Sequence, residues 1–590
     1  MLEYRRQAAS GRPGGPRPHT SALPTAEAPG PGARAVRPRR RPAARAPHHR
    51  YTGKRRTTTM NRKLLVLPAL LGALAPVVTG CGSSGGGSGG GKPIVVGSTD
   101  SIELNKDNPA PLDPAAEYDA DTWQVFYNTF QELLAYPRGS TTPSPDAAKE
   151  CHYADSSGLV YQCTLRSGME FSNGHPMTSQ DVKFSVERVI SLKATAGPSS
   201  LLSDVKSVET PSASVVVFHL KAADATFPAK LATPAAAIVD HQVYSATKTL
   251  TGWRVVGSGP YVLNSYSQDK QAVFTKNPHY KGIYKINNSA VTMKLYGDSN
   301  KMEDALKSGQ LDVMTRELAP DQIQALQDNP PSGVKLTQVA GGESRYLFLN
   351  TKDGSLKNLA VRQAIAQLID RQEITRDIYK RTDVPLYSIV PQGTTAHVNS
   401  FFDKYGDPST SKARSILQKA GFTDKVPLTI NFRRDLGGTA YKAEAQMIAK
   451  QLDASGLFDV KTEAEQWNVF LQAAAAGKYQ VFAVDWLPDF PDPDNYVAPF
   501  LDKETFIPLP YQNKEIQDTI LPETRQEAAR SATADAFERA QQIVADDVPM
   551  IPLWQGNQYI VSRSDITGVE WAQSSTGTTQ FWELGRGASE

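Results

Sequence analysis

LTINFRR (428–434), FDVKTEAE (458–465) and YQVFAVDW (479–486) decide the fold. Leu428, Ile430 and Phe432 alternate with polar neighbours, which predicts a half-buried strand. Between the first two stretches, Thr439 can cap a helix that carries Tyr441, Ala445, Ile448 and Leu452 on one face and stops at Gly456. A second helix, from about Asn468 to Ala476, ends at Gly477. Strand, helix, strand, helix, strand predicts parallel β-α-β units with right-handed crossovers, hence an α/β fold. In such sheets ligands bind beyond the carboxyl ends of the strands.

The last of these strands runs into AVDWLPDFPDPDNYVAPF (483–500). It holds Asp485, Asp489, Asp492 and Asp494 around Trp486 and four prolines, with no Lys, Arg or His. Its complement is a metal ion, an ammonium group or water. Calcium wants six to eight oxygens from a flexible, usually glycine-bearing loop. Pro488, Pro491, Pro493 and the bulky Phe490 oppose that. Asp492 and Asp494 read as caps or turn formers; Asp485 reads equally as structure or as ligand contact.

The chain has 590 residues, too long for one core, so two or three domains are expected. Its formal charge of +3 hides an asymmetry. Residues 1–91 carry 16 Lys/Arg and 2 Asp/Glu; the remainder carries 48 and 59, a net charge of −11. An acidic body argues against nucleic acid or an anionic membrane surface as partner.

Residues 1–59 are rich in Arg, Pro, Ala and Gly without hydrophobic period and read as disordered or untranslated. Met60 begins a better start: Asn61-Arg62-Lys63, an apolar run, then small residues before Cys81. That is a signal peptide over 60–80, its apolar run too short and too proline-rich to span a bilayer comfortably. Arg55-Arg56 also allows a twin-arginine signal, which the following residues fit poorly. The segment before Cys81 resembles the lipobox of bacterial lipoproteins, which implies lipid on Cys81. The Gly/Ser-rich residues up to 91 suit a flexible tether. In an oxidising compartment Cys151 and Cys163, in the hairpin-like CHYADSSGLVYQC, are expected as a disulfide. A metal pair would need ligands beyond His152.

Further strands are expected at IVVGST (94–99), VYQCTLR (160–166) and VVVFHL (215–220), and a helix capped from Thr178 with Asp181 in its first turn. Enzyme motifs are missing: no G-x-S-x-G, H-E-x-x-H or Walker loop. Gly257-Ser258-Gly259 runs into Pro260 without the third glycine of a dinucleotide turn. Ser203-x-x-Lys206 and Ser409-x-x-Lys412 lack the companion motifs of penicillin-recognising enzymes. Nine scattered histidines show no metal-like spacing. No catalysis, metal or cofactor is expected.

VVGSGPYVLNSYSQDKQAVFTKNPHYKG (255–282), ALKSGQLDV (305–313), YLFLNT…VRQAIAQLIDR (346–371) and CTLRSGMEFSNGHPMTSQDVKFSVERV (163–189) occur in the order found in extracellular solute-binding proteins of the peptide/nickel class. The chain resembles these binding components of ATP-driven importers over nearly all of 92–590. The resemblance implies a two-lobed periplasmic-binding-protein-like fold (type II) with an extra domain inserted in the first lobe. The first lobe is then 92–135, 251–343 and 551–590, the insert 136–250 and the second lobe 344–550. Hinges fall near Arg345–Asn350 and Pro549–Gln555. The family's W-x-x-D pattern reads here Trp486-Leu487-Pro488-Asp489, which implies Asp489 on a peptide's α-ammonium with Trp486 beside it. Arg345, Arg433 and Arg434 are candidates for the peptide carboxylate by position only. The implied partners are short peptides, the permease subunits of an ABC importer and, through Cys81, the outer face of the cytoplasmic membrane, with the protein a monomer. Nickel complexes, oligosaccharides or a sensing role without transport are the alternatives within the same fold.

Overall fold

The alternation at Leu428, Ile430 and Phe432 does form a strand, Val426–Arg433, with all three side chains buried. It lies parallel to Phe458–Glu465 on one side and to Val481–Trp486 on the other. The connecting helices are Ala440–Ala454 and Trp467–Ala475, and the first buries Tyr441, Ala445, Ile448 and Leu452 as its periodicity requires. The computed structural model describes residues 91–590 except 107, 317, 435–438, 506, 508, 575 and 588–590. The N-terminal extension, the signal segment, Cys81 and all but the last residue of the tether lie outside the described residues. Among the described residues no helix is long and apolar enough to cross a membrane.

The parallel trio is one end of an eleven-stranded sheet. The other end holds Val313–Met314, Ile94–Ser98, Ala290–Leu295, Gln271–Lys276 and Tyr261–Ser267. Two long antiparallel strands in the middle, Val334–Leu349 and Met550–Arg563, belong to both ends. Two large apolar cores flank this crossing. One draws its residues from Tyr346 to Trp554. The other draws them from Ile94 to Leu295, Val313 and Ile560 to Leu584. Each fully buried Leu, Ile or Phe contributes about 1.5–3 kcal/mol, so each core sustains its own lobe.

The inserted domain shares the first lobe's core. Its sheet runs Ala148–Tyr153, Val160–Leu165, Val215–Leu220, Val205–Ser212, all antiparallel. Cys151 and Cys163 face each other in the ladder and are joined, S–S 2.01 Å. The helix Ser179–Leu192 begins at Thr178, whose N–H donates to Asp181 Oδ2 at 2.8 Å. The chain's last turns return to the first lobe. Thr579 exchanges hydrogen bonds with Gln124 at 2.6 and 2.7 Å, and Asn128 Oδ1 accepts from Phe581 N at 3.1 Å.

At the crossing the register is interrupted between Ala340 and Ser344 and again between Arg345 and Tyr346. Gly341, Gly342 and Glu343 fill the first gap. A Cβ on Gly341 would lie 2.4 Å from Gly556 O; one on Gly342 would lie 2.9 Å from Pro488 Cγ. Only glycine lets the crossing strand pass so close to its partner and to the aspartate loop.

A buried ion network braces the same place. Glu444, fully buried on the helix Ala440–Ala454, accepts from Arg345 Nε at 3.0 Å, Tyr379 Oη at 2.8 Å and Trp554 Nε1 at 2.6 Å. Arg345 and Trp554 sit on the two crossing strands, so one carboxylate ties both to the second lobe. Arg345 also lies 3.8 Å over the Tyr441 ring. Removing one partner of a buried pair strands the other's charge, at about 3–5 kcal/mol. Glu444→Ala should therefore lower unfolding free energy by about that amount in urea melts. A loss below about 1 kcal/mol, the scale of an exposed pair, would show that the network does not hold the crossing.

Candidate functional site

The strand Val481–Trp486 ends at the seam between the lobes, and the loop that follows carries the four aspartates. Three of them have arginine partners. Asp485 accepts from Arg345 Nη1 at 3.2 Å. Asp492 takes a two-pronged grip from Arg530, with Nε and Nη2 each at 2.7 Å. Asp494, the first residue of the helix Asp494–Leu501, pairs with Arg525 at 2.9 and 3.3 Å. Asp492 also works as a turn former, accepting from Asp494 N at 2.9 Å.

Asp489 differs. It is 5% exposed, and no Lys, Arg or His lies within ion-pair distance of it among the described residues. Its Oδ2 accepts from Tyr118 Oη at 2.6 Å and from Asn495 Nδ2 at 2.9 Å. Tyr118 comes from the first lobe, so the first of these bonds spans the seam. Burial pushes the Asp489 carboxyl up to about 6, against the pull of the Tyr118 and Asn495 hydrogen bonds. A carboxylate here is costly to ionise alone and gains most from an incoming cation.

Asn495 shapes the loop. Its Oδ1 accepts from Asp489 N at 2.7 Å, and its backbone carbonyl accepts from Trp486 Nε1 at 2.7 Å. Trp486 is 6% exposed and packs edge-on against Phe500, ring centres 5.2 Å apart. The indole thus lies largely inside the second lobe, fixing the strand end from below. Arg345, a candidate for a ligand carboxylate, is fully buried and engaged by Glu444 and Asp485. Arg433 is half-buried at its strand end and Arg434 is exposed.

Facing the loop from the first lobe are three phenols, Tyr118, Tyr127 and Tyr136. Burial raises all three hydroxyls, and the Asp489 charge adds to each. The Tyr136 hydroxyl is buried with no hydrogen-bond partner among the described residues. The seam is therefore anionic on one wall and lined by neutral donors on the other. Such a site can hold an ammonium and hydrogen-bond polar groups beside it. Neither Tyr118 nor Asn495 was singled out by the sequence. A repeated aromatic at 118, 123 and 127 was a signal, but one shared with any buried helix.

The bacterial extracellular solute-binding proteins, family 5 (middle region), match residues 142–506. A protein of Escherichia coli K12 described as a probable D,D-dipeptide-binding periplasmic protein is 26% identical over 478 residues, 78% of this chain and 89% of its own. A dipeptide-binding protein from Pseudoalteromonas sp. SM9913, solved with Met-Leu, superposes with a TM-score of 0.74 at 19% identity, covering 84% of this chain and all of that one. The binding protein AgaA of A. tumefaciens R10, solved with agropinic acid, superposes at 0.71 with 20% identity, covering 83% and 96%. With the family's region matched over more than half its length and the two-lobed fold in place, the chain belongs to the bacterial extracellular solute-binding proteins of family 5.

Proposed function

We propose that this protein captures short peptides between its lobes by hinge closure and delivers them to an ABC-type import permease. In this reading it is a lipoprotein held on Cys81 at the outer face of the cytoplasmic membrane, with its lobes divided as the resemblance implies. The observation that supports the reading is the one buried aspartate of the loop without a counter-ion. Three neighbours are paired with arginines from the chain itself, Asp485 sharing its arginine with Glu444; Asp489 is left for the ligand's α-ammonium. The bond from Tyr118 stands where closure brings the two walls together, so ammonium binding and closure favour each other. An extended peptide then gains affinity from main-chain hydrogen bonds with little side-chain discrimination. The E. coli relative's description and the Met-Leu complex of the Pseudoalteromonas protein agree with a peptide ligand. The agropinic acid complex of AgaA keeps a second reading in view, a non-peptide solute in the same fold.

Native mass spectrometry of the purified protein separates the two: copurifying short peptides support the first, and a single non-peptide molecule overturns it. Asp489→Asn preserves shape and removes the charge. It should weaken a bound peptide by about 2–5 kcal/mol, roughly thirty- to several-thousand-fold. N-acetylation of the peptide should cost a similar amount, and the two losses should not add, since they remove the same interaction. Unchanged affinity in both experiments would end the ammonium reading.

Acidity gives an independent check. Asp489 holds its proton up to about pH 6 in the unliganded protein, and an ammonium needs the ionised form. Affinity for a free-amine peptide should be highest near neutrality and fall as pH drops through 6, by up to about tenfold per unit. An N-acetyl peptide should show no such fall. The unliganded fold behaves oppositely. The carboxyl's ordinary value is 3.8 and its folded value about 6, so its contribution to stability is whole below about pH 4 and lost as pH rises to 6.

A further inference from the structure

Two aspartates and two histidines meet in the inserted domain, away from the seam. Asp181 lies in the first turn of the helix Ser179–Leu192; Asp240 and His241 are adjacent in the chain; His175 follows the turn at Asn173-Gly174. Asp181 Oδ1 is 2.6 Å from His241 Nδ1, and Asp240 Oδ2 is 2.7 Å from His175 Nδ1. Asp181, Asp240 and His241 each bring one donor atom within 4.8 Å of the other two.

We propose that Asp181, Asp240 and His241 bind a divalent transition ion of the Zn²⁺ class, with His175 positioning Asp240. Both carboxylate side chains are 1% exposed, and neither has a Lys or Arg within ion-pair distance among the described residues. Two carboxylates buried side by side call for positive charge, and two imidazoles are what this surface offers. A tetrahedral zinc site with bonds near 2.0–2.2 Å places its donors about 3.3–3.5 Å apart. The 2.6 Å contact would open by roughly 0.7 Å to admit an ion, within side-chain torsional reach. An imidazole with carboxylates suits zinc or its neighbours better than calcium, which wants many oxygens.

The surrounding hydrogen bonds are those of an oriented ligand set. Asp181 Oδ2 is held by Thr178 N at 2.8 Å and Thr178 Oγ1 at 3.0 Å, leaving Oδ1 toward His241. Asp240 Oδ1 accepts from Gln242 N at 2.9 Å, and Asn173 Nδ2 reaches its Oδ2 at 2.8 Å. Outer partners of this kind fix ligand orientation in metal sites. The side chains of His175 and His241 are each 41% exposed, so an ion has a path in and a position for water. The ion would pin the start of a helix to a segment 60 residues further along the chain.

The test is a titration of tag-free, chelator-treated protein with Zn²⁺, followed by calorimetry and by the visible absorption of Co²⁺ in its place. The expected result is one equivalent bound per chain at micromolar affinity or better and a raised melting temperature. His241→Ala should weaken binding at least tenfold and abolish the thermal shift, and Asp240→Asn should do the same. His175→Ala should cause a smaller loss. His241 is exposed, so its variant keeps the test open even if replacing the buried aspartate disturbs the fold. Peptide affinity should be the same in His241→Ala, since the cleft is elsewhere. Absence of saturable binding, or equal affinity in His241→Ala, would overturn the proposal.

Discussion

Two strands run through the whole body, and their pairing is what makes a site out of two lobes. Val334–Leu349 and Met550–Arg563 stay in one ladder from one lobe into the other. Because they are antiparallel neighbours, Arg345 and Trp554 come side by side, and a single carboxylate, Glu444, can hold both. The register breaks where Gly341 and Gly342 supply slack and again between Arg345 and Tyr346. Tyr118 and Asp489 meet beside this crossing, one from each side of it. The loop of aspartates gains a facing wall only because the crossing fixes where that wall stands.

Charge then sorts the loop. Four carboxylates in ten residues would repel one another if all were left bare. Arg525 and Arg530 pair with two of them in the two-pronged geometry of a planar guanidinium, and Arg345 is shared between Asp485 and Glu444. The fourth, pushed up by burial to about 6, is bracketed by Asn495 and Tyr118. Near neutrality the empty site therefore holds a buried carboxylate steadied by hydrogen bonds alone, a strong acceptor for a cation that brings its own charge.

Periodicity made the second lobe's strands and helices legible, since alternation and helical spacing are local properties of the chain. The position of the aspartate loop followed, because a loop after a parallel strand points into the crevice. The division of labour among its aspartates did not follow. Arg525 and Arg530 lie 31 and 38 residues from their partners, Arg345 lies 140 from Asp485, and Tyr118 lies 371 from Asp489. No short-range pattern encodes such pairings. The same holds for the histidines: in sequence they are scattered, and only the insert's fold sets His241 against Asp181. Trp486 shows the converse. Its N–H donates to the Asn495 carbonyl nine residues on and its ring packs on Phe500, contacts close in sequence.

The first lobe is assembled from segments at both ends of the chain. Strand Ile94–Ser98 sits beside Val313–Met314, which in turn pairs with Met550–Arg563, and Phe581 and Trp582 lie in the same core as Phe126. The second lobe's core is drawn from one continuous stretch. During synthesis the second lobe can therefore close before the first, although the first begins emerging earlier. Until the final forty or so residues arrive, the early strands and the insert expose apolar surface of the kind that aggregates. Residues 560–584 thus complete the first core, and a chain cut short near residue 560 would carry a finished second lobe beside an open first one.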